Sequence, residues 1–159
     1  MWPLGHIATG IYTARRFAFD EDPTRYAAHL LGVVAPDVID KPLGSREGAP
    51  AYHTVAHSLI TASLLSICAY RWGERDGPFR AFAAGFLVHI AGDLPLTLDK
   101  WDEPEFFFWP LLRPVNTVSR PLEEYVADYI TSPWFVLEIL LAAFVFRSRS
   151  GDTETTDEE

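Results

Sequence analysis

Hydrophobic positions recur along the chain with the period of a helix, and no stretch shows the strict alternation typical of a strand. Helix signals divide the chain into segments 4–18, 22–35, 52–72, 79–93, 121–130 and 132–147. We expect the second segment to end before Pro36, because the residue before a proline disfavours the α conformation. The pattern predicts an all-α fold, a bundle of about five to six helices, with an irregular aromatic connection over residues 94–120.

Three stretches of the chain are apolar enough to suggest a membrane protein, in which a spanning helix needs about 20 mostly apolar residues. Residues 54–70 contain no Lys, Arg, Asp or Glu. Residues 81–92 are apolar except for His89, and residues 129–146 contain one charged residue, Glu138. Three such stretches exceed what one small core usually needs, so we expect several helices to be embedded in a membrane. A soluble bundle with buried helices that are apolar all round is the alternative.

Composition and charge limit the domain count and the choice of partner. The chain has 159 residues, 48% of them hydrophobic, which suits one domain with a core, and we place this domain at residues 1–147. Residues 148–159 are predicted to form a disordered acidic tail. A net charge of −9, with Arg15 and Arg16 as the one contiguous basic pair, argues against nucleic-acid binding. The excess of carboxylates also agrees with a halophilic source.

Histidines and carboxylates occur at spacings that suit a metal site. The single cysteine, Cys68, cannot build a cysteine-based zinc site, so metal ligands must be histidine and carboxylate. His53 and His57 are four residues apart on a predicted helix and are expected to project from one face. His89 and Asp93 repeat this spacing on the next helix. The spacing alone fits a metal site and equally fits hydrogen-bonded core residues.

Two further features of the pattern bear on this site. Asp37 and Asp40 are expected just past the end of the second helix, since that helix is predicted to end before Pro36. Gly85 lies one turn before His89 and would leave that helix face open to close approach by another helix or a ligand. These features favour a fold in which the histidines and carboxylates of different segments meet at one site.

Five short motifs follow one another in order: MWPLGH at 1–6, APDVIDKPL at 35–43, AHSL at 56–59, FLVHIAGD at 86–93 and FFWPL at 107–111. The series resembles the membrane-bound metal-dependent hydrolase family, also described as LexA-binding, inner-membrane-associated hydrolases, particularly the forms found in haloarchaea. The likeness covers residues 1–112. The family is in turn distantly similar to zinc-dependent phospholipase C, an all-α fold in which His and Asp ligands hold a metal cluster.

The resemblance implies a polar signature, formed in this chain by His6, Asp37, Asp40, His57, His89 and Asp93. All of these except Asp40 are expected as ligands of a divalent metal, with zinc favoured. Asp40 and His57 are the catalytic candidates, Asp40 as a ligand, a general base or a partner that orients an imidazole. His53 lies outside the signature, because the family has an Arg-containing segment where this chain has residues 52–55.

The resulting hypothesis is a metal-dependent hydrolase at the cell membrane. Its partners would be membrane lipid and a small substrate, with a phosphoester as the class implied by analogy with phospholipase C. The first alternative is a non-catalytic membrane protein whose His/Asp network serves packing or partner binding. The second alternative is a soluble helical bundle with a structural metal.

Overall fold

The computed structural model describes residues 3–44, 53–99, 104–112 and 122–151. Over these ranges the chain contains no strand, which confirms the all-α prediction. Its elements are α1 (Pro3–Arg16), α2 (Pro23–Gly44), α3 (Leu59–Trp72), α4 (Pro78–Asp99), a short 3₁₀ helix (Pro104–Phe108), α5 (Leu122–Ile130) and α6 (Pro133–Gly151).

Helices α2 and α4 form the centre of the fold and pack at very close range. A Cβ atom on Gly32 of α2 would overlap the carbonyl oxygen of Phe82, and one on Gly85 of α4 would overlap the carbonyl oxygen of His29. Since only glycine lets two helix backbones approach so closely, these positions fix how the two helices meet. Helix α1 packs on both of them, α3 packs on α4, and α6 packs on α1.

Helix α2 continues well beyond its predicted end. Pro36 and Pro42 both lie inside the helix, so the prediction that it ends before Pro36 is wrong. Asp37 and Asp40 therefore project from the last turns of α2 and do not follow its end. A proline inside a helix costs about 3 kcal/mol. We attribute the continuation to the close packing of α2 on α4, because tertiary contacts override local preference.

The segment before α3 is not helical, contrary to the prediction of a helix over 52–72. Residues 53–57 form bends and turns, and α3 begins at Leu59 with Ser58 as its N-cap. The carboxylate of Asp40 accepts three backbone N–H groups of this segment and thereby keeps them from helical hydrogen bonds. The prediction that His53 and His57 project from one face of a helix is therefore wrong.

The other elements are close to their predicted positions but differ in length. Helix α4 runs past Pro95 to Asp99, so Asp93 lies inside the helix. The helix predicted at 121–130 is α5. Helix α6 extends to Gly151, beyond the boundary predicted for the acidic tail. Residues 152–159 lie outside the described part of the chain.

In the described ranges, no helix has both the length and the apolar composition needed to cross a bilayer. The stretch 54–70 begins with turns, which leaves α3 with 14 residues. A helix of this length spans about 21 Å, against about 30 Å for the hydrocarbon core of a bilayer. His89 and Glu138 interrupt the other two apolar stretches. The expectation of a transmembrane helix is not met by any of these three stretches.

A hydrophobic cluster lies between α3, α4 and the aromatic connection. Its buried members are Ala56, Ala62, Phe86, Ile90 and Phe107. The hydroxyl of Ser58 donates to the carbonyl oxygen of Trp109 at 2.6 Å and so ties the connection to the start of α3. This cluster supports the segment that carries His57.

Candidate metal centre

Five predicted ligands converge at one buried point in the fold. Helix α1 supplies His6, α2 supplies Asp37, the turn before α3 supplies His57, and α4 supplies His89 and Asp93. Four of these residues are buried, and the side chain of Asp37 is 18% exposed. The structure thus brings together residues that are up to 87 positions apart in sequence, from 6 to 93.

The atoms that face one another are spaced as the ligands of one metal ion are. Nε2 of His57 lies 3.2 Å from Nε2 of His89. It also lies 3.6 Å from Oδ1 of Asp37 and 3.6 Å from Oδ2 of Asp93. Nε2 of His89 lies 3.3 Å from Oδ2 of Asp93 and 3.9 Å from Oδ1 of Asp37. Ligands bound about 2.1 Å from a tetrahedral zinc ion are about 3.4 Å apart.

His6 joins this group from α1. Its ring stacks on His89, with centroids 3.7 Å apart and an interplanar angle of 9°. Nε2 of His6 lies 3.2 Å from Oδ1 of Asp93, but without hydrogen-bond geometry. Both ring nitrogens are buried and have no hydrogen-bond partner within the described ranges. Since a buried polar atom without a partner is costly, a ligand role for His6 is chemically reasonable.

Two overlapping sets of three residues can hold an ion. His6, His89 and Asp93 form one set, and Asp37, His57 and His89 form the other. Within each set the candidate ligand atoms lie within 4.8 Å of one another. The buried His and Asp groups of this chain are therefore placed so that they could hold a metal ion.

Hydrogen bonds behind two of the rings determine which nitrogen faces the centre. Nδ1 of His89 lies 2.6 Å from the carbonyl oxygen of Val33, and Nδ1 of His57 lies 2.9 Å from Oδ2 of Asp40. Both partners accept hydrogen bonds, so each Nδ1 carries a proton, and each Nε2 of a neutral ring presents a lone pair. Two lone pairs 3.2 Å apart repel each other. The centre therefore needs a cation, either a metal ion or a proton.

Asp40 supports His57 from behind and does not face the other ligands. It is fully buried, and its oxygens accept the Nδ1–H of His57, the hydroxyl of Thr54 and three backbone N–H groups. Burial opposes ionisation, but His57 and the N–H groups outweigh it and hold the pKa of Asp40 below its ordinary value. Among the three roles left open by the sequence, this geometry favours a partner that orients the imidazole.

Asp93 is held in its ionised form by its neighbours. Burial raises its pKa, but the neighbouring imidazoles of His6 and His89 outweigh burial and hold the pKa well below its ordinary value. Burial in turn lowers the pKa of His6, against the opposing effect of Asp93. Carboxylate and imidazole groups are both donors that zinc binds.

Asp37 is ionised for a similar reason. Burial raises its pKa, but His57 and Lys41 outweigh burial and hold it well below its ordinary value. Nζ of Lys41, one turn later on α2, lies 2.8 Å from Oδ2 of Asp37. Burial lowers the pKa of His57, yet Asp37 and Asp40 together raise it above its ordinary value. The centre is therefore negatively charged around its imidazoles.

His53 lies beside the centre but belongs to neither set of candidate ligands. Its ring contacts the ring of His57 edge-on, with centroids 4.4 Å apart, and lies 5.3 Å from the ring of Phe106. Burial lowers the pKa of His53 to about 4. A neutral His53 therefore packs edge-on against the ring of His57.

Sequence reasoning missed three contributors to this arrangement. Lys41 had a visible signal, since it follows Asp37 by four residues. Glu138 was visible as the one charged residue of the apolar stretch 129–146. The contribution of Val33 is a backbone carbonyl, for which the side-chain sequence contains no signal.

Comparison of the chain with known protein families, with curated proteins and with solved structures gave no match. Its function is therefore inferred from the chemistry of the centre and from the order of the motifs.

Proposed function

We propose that the chain is a metal-dependent hydrolase of the membrane-bound family that its motifs resemble, and that its centre holds a divalent ion, zinc by preference. One observation carries the proposal: Nε2 of His57 and Nε2 of His89 face each other at 3.2 Å while both Nδ1 atoms are hydrogen-bonded elsewhere. A dication between them would also balance the charges of Asp37 and Asp93. The two imidazoles and two carboxylates named here are ligand types that suit zinc.

When bound, the metal would supply a water with a lowered pKa and a Lewis acid that polarises a phosphoryl or acyl oxygen. The chain's own residues would hold the ligands in place. Asp40 fixes the ring of His57, and the carbonyl of Val33 fixes the ring of His89. Orienting partners of this kind set the tautomer and the direction of a ligating imidazole. In this proposal His57 acts as a ligand, and Asp40 acts as its positioning partner.

A cavity of about 420 Å³ lies against the centre on the side of α1 and α2. His6, Asp37 and His89 contribute to its wall, together with Lys41 and apolar side chains such as that of Val38. We propose that water and substrate reach the centre through this cavity. An apolar wall with one cation fits a small phosphoester that carries an apolar group, which is the substrate class we favour.

Association with the cell membrane is part of the proposal and is supported by the surface of two helices. Large apolar side chains are exposed on α3 and α6, namely Leu64, Ile67, Tyr70, Trp72, Val136, Leu137, Leu140 and Phe144. Exposed apolar residues in such number mark interaction surfaces. We propose that membrane lipid is what these faces contact, and binding of the purified chain to sedimenting lipid vesicles tests this.

Metal content tests the central proposal. We would measure zinc, manganese and iron per chain by mass spectrometry for the wild type and for the double variant His57→Ala/His89→Ala. His29→Gln is the matched control, because His29 is also fully buried but bonds Thr13 and the carbonyl of Ala81, away from the centre. We expect about one metal ion or more per chain in the wild type and the control, and loss in the double variant. A wild type that stays metal-free after reconstitution contradicts the proposal.

A second candidate is a non-catalytic network that serves packing or partner binding. It is favoured by the pKa of His57, which burial lowers but Asp37 and Asp40 raise above its ordinary value. A proton on Nε2 of His57 would satisfy the facing nitrogen of His89 without a metal. Metal-free protein whose His57 ring is doubly protonated near pH 7 by ¹⁵N NMR would favour this candidate over the hydrolase.

A further inference from the structure

Glu138 is a buried carboxylate on α6 that lies outside the metal centre. Its exposed fraction is 4%, and it interrupts the apolar stretch 129–146. Its Oε2 accepts the backbone N–H of Gly5 at 3.0 Å and the hydroxyl of Tyr129 at 2.8 Å. Burial of a carboxylate is costly unless donors compensate it, so these contacts explain how the chain tolerates the charge.

The contact with Gly5 places this charge at the start of α1. Gly5 lies in the first turn of that helix, where backbone N–H groups have no partner within the helix. The N-terminus of a helix also attracts negative charge. The next residue in the chain is His6, the candidate ligand that α1 contributes.

The fit between Glu138 and α1 is tight. A Cβ atom on Gly5 would lie 2.6 Å from Cδ of Glu138, so the carboxylate packs directly against the helix backbone. The hydroxyl of Tyr129 donates to the same carboxylate oxygen as Gly5. Burial together with Glu138 raises the pKa of Tyr129 above its ordinary value, so the phenol stays protonated and donates.

We infer that Glu138 is a positioning residue for His6: it anchors the first turn of α1 and thereby holds the His6 ring on His89 with Nε2 toward Asp93. The functional meaning of this inference rests on the proposed metal centre. The position of the His6 ring is open to test with or without a metal.

A double-mutant cycle on zinc affinity tests the inference. We would measure the zinc Kd of the wild type, Glu138→Ala, His6→Ala and the double variant by competition with a chromophoric chelator. Each single substitution is expected to raise the Kd about tenfold. The double variant is expected to be no weaker than His6→Ala, because both changes remove the same ligand. Additive losses, or wild-type affinity in Glu138→Ala, would overturn the inference.

Arg15→Ala is the matched control for loss of helix packing alone. Nη1 of Arg15 donates to the carbonyl oxygen of Val145 at 2.9 Å, so it also joins α1 to α6, but near the other end of α1. We expect this variant to lower the Tm and to leave the zinc Kd unchanged. A Kd that rises as much as in Glu138→Ala would show that α1–α6 packing in general, and not Glu138, sets the affinity.

A second measurement uses metal-free protein and separates this inference from the proposed function. We would record the ring resonances of His6 by NMR in Glu138→Ala and in Glu138→Gln, which keeps an acceptor oxygen and protects the fold. Since His6 stacks on His89, displacement of its ring is expected to shift these signals while those of His29 stay in place. Unmoved His6 signals in both variants overturn the inference. If the wild type binds no zinc, the proposed function fails and these signals alone decide the positioning role.

Discussion

Replacement of Asp40 by alanine is the sharpest test of how the centre is built. The carboxylate accepts the backbone N–H groups of Thr54, Ala56 and His57 as well as the Nδ1–H of His57. The substitution leaves these four donors buried without their acceptor. The turn over residues 53–58 would then lose the group that holds it, and His57 would lose its orienting partner.

The expected magnitude follows from these contacts. A buried donor left unpaired costs about 1–3 kcal/mol, so four donors amount to about 4 kcal/mol or more. The whole domain is expected to be stable by only about 5–15 kcal/mol. We expect Asp40→Ala to lower the free energy of unfolding by about 4 kcal/mol and Asp40→Asn, which keeps one acceptor oxygen, by about 2 kcal/mol. Zinc affinity should fall about tenfold or more in either variant.

Urea unfolding followed by circular dichroism measures the first effect. Asp22→Asn is the matched control, because Asp22 also accepts two backbone N–H groups, of Thr24 and Arg25, but at the surface. Asparagine caps a helix about as well as aspartate, so this variant should unfold like the wild type. A loss of less than about 1 kcal/mol in Asp40→Ala would refute the reasoning that Asp40 holds the turn.

Three further predictions concern helix packing, pH and metal removal. Gly85→Ala should destabilise the fold by about 3 kcal/mol in urea unfolding, because the new Cβ would overlap the backbone of His29. Gly10→Ala should cost less, because its Cβ would meet only side-chain carbons, the nearest of them on Val33 at 3.0 Å. Burial lowers the pKa of His53 from 6.5 to about 4. The neutral His53 ring therefore contributes fully to folding stability above pH 6.5, and this contribution is lost as the pH falls to about 4. This contribution to the free energy of unfolding is at most about 3 kcal/mol. His53→Phe should flatten the plot of unfolding free energy against pH between about pH 4 and pH 6.5, and an unchanged slope would contradict the lowered pKa of His53. Chelation of the metal-loaded protein should lower the Tm by several degrees, since a ligand of the native state alone stabilises it, and an unchanged Tm would contradict a bound metal.

The sequence was sufficient to predict the helical class and to single out residues that the structure brings together. Both successes depend on local or ordered signals, namely hydrophobic period for the helices and motif order for His6, Asp37, His57, His89 and Asp93. The spacing argument was less successful. It placed His53 and His57 together on a helix, whereas the structure has them in a bend and a turn, with their rings in edge-on contact.

The missing information was long-range. Whether residues 53–58 form a helix or a turn depends on Asp40, which is 14 to 17 positions away along the chain. The role of Glu138 depends on a contact with Gly5 across 133 positions. No window of local sequence contains such contacts, so residue identity was predictable here and residue role was not.

The failures of local prediction coincide with the centre itself. Because α2 continues through Pro36, Asp37 and Asp40 lie one turn apart on the same helix and reach opposite sides of the same ring. Oδ1 of Asp37 lies 3.6 Å from Nε2 of His57, and Oδ2 of Asp40 lies 2.9 Å from its Nδ1. A helix that ended before Pro36 would not fix this spacing. Departures from local rules are expected at functional sites, where the rest of the fold must compensate them. The buried proline and the unwound start of α3 therefore have one explanation: together they place the ring of His57 between two carboxylates of α2.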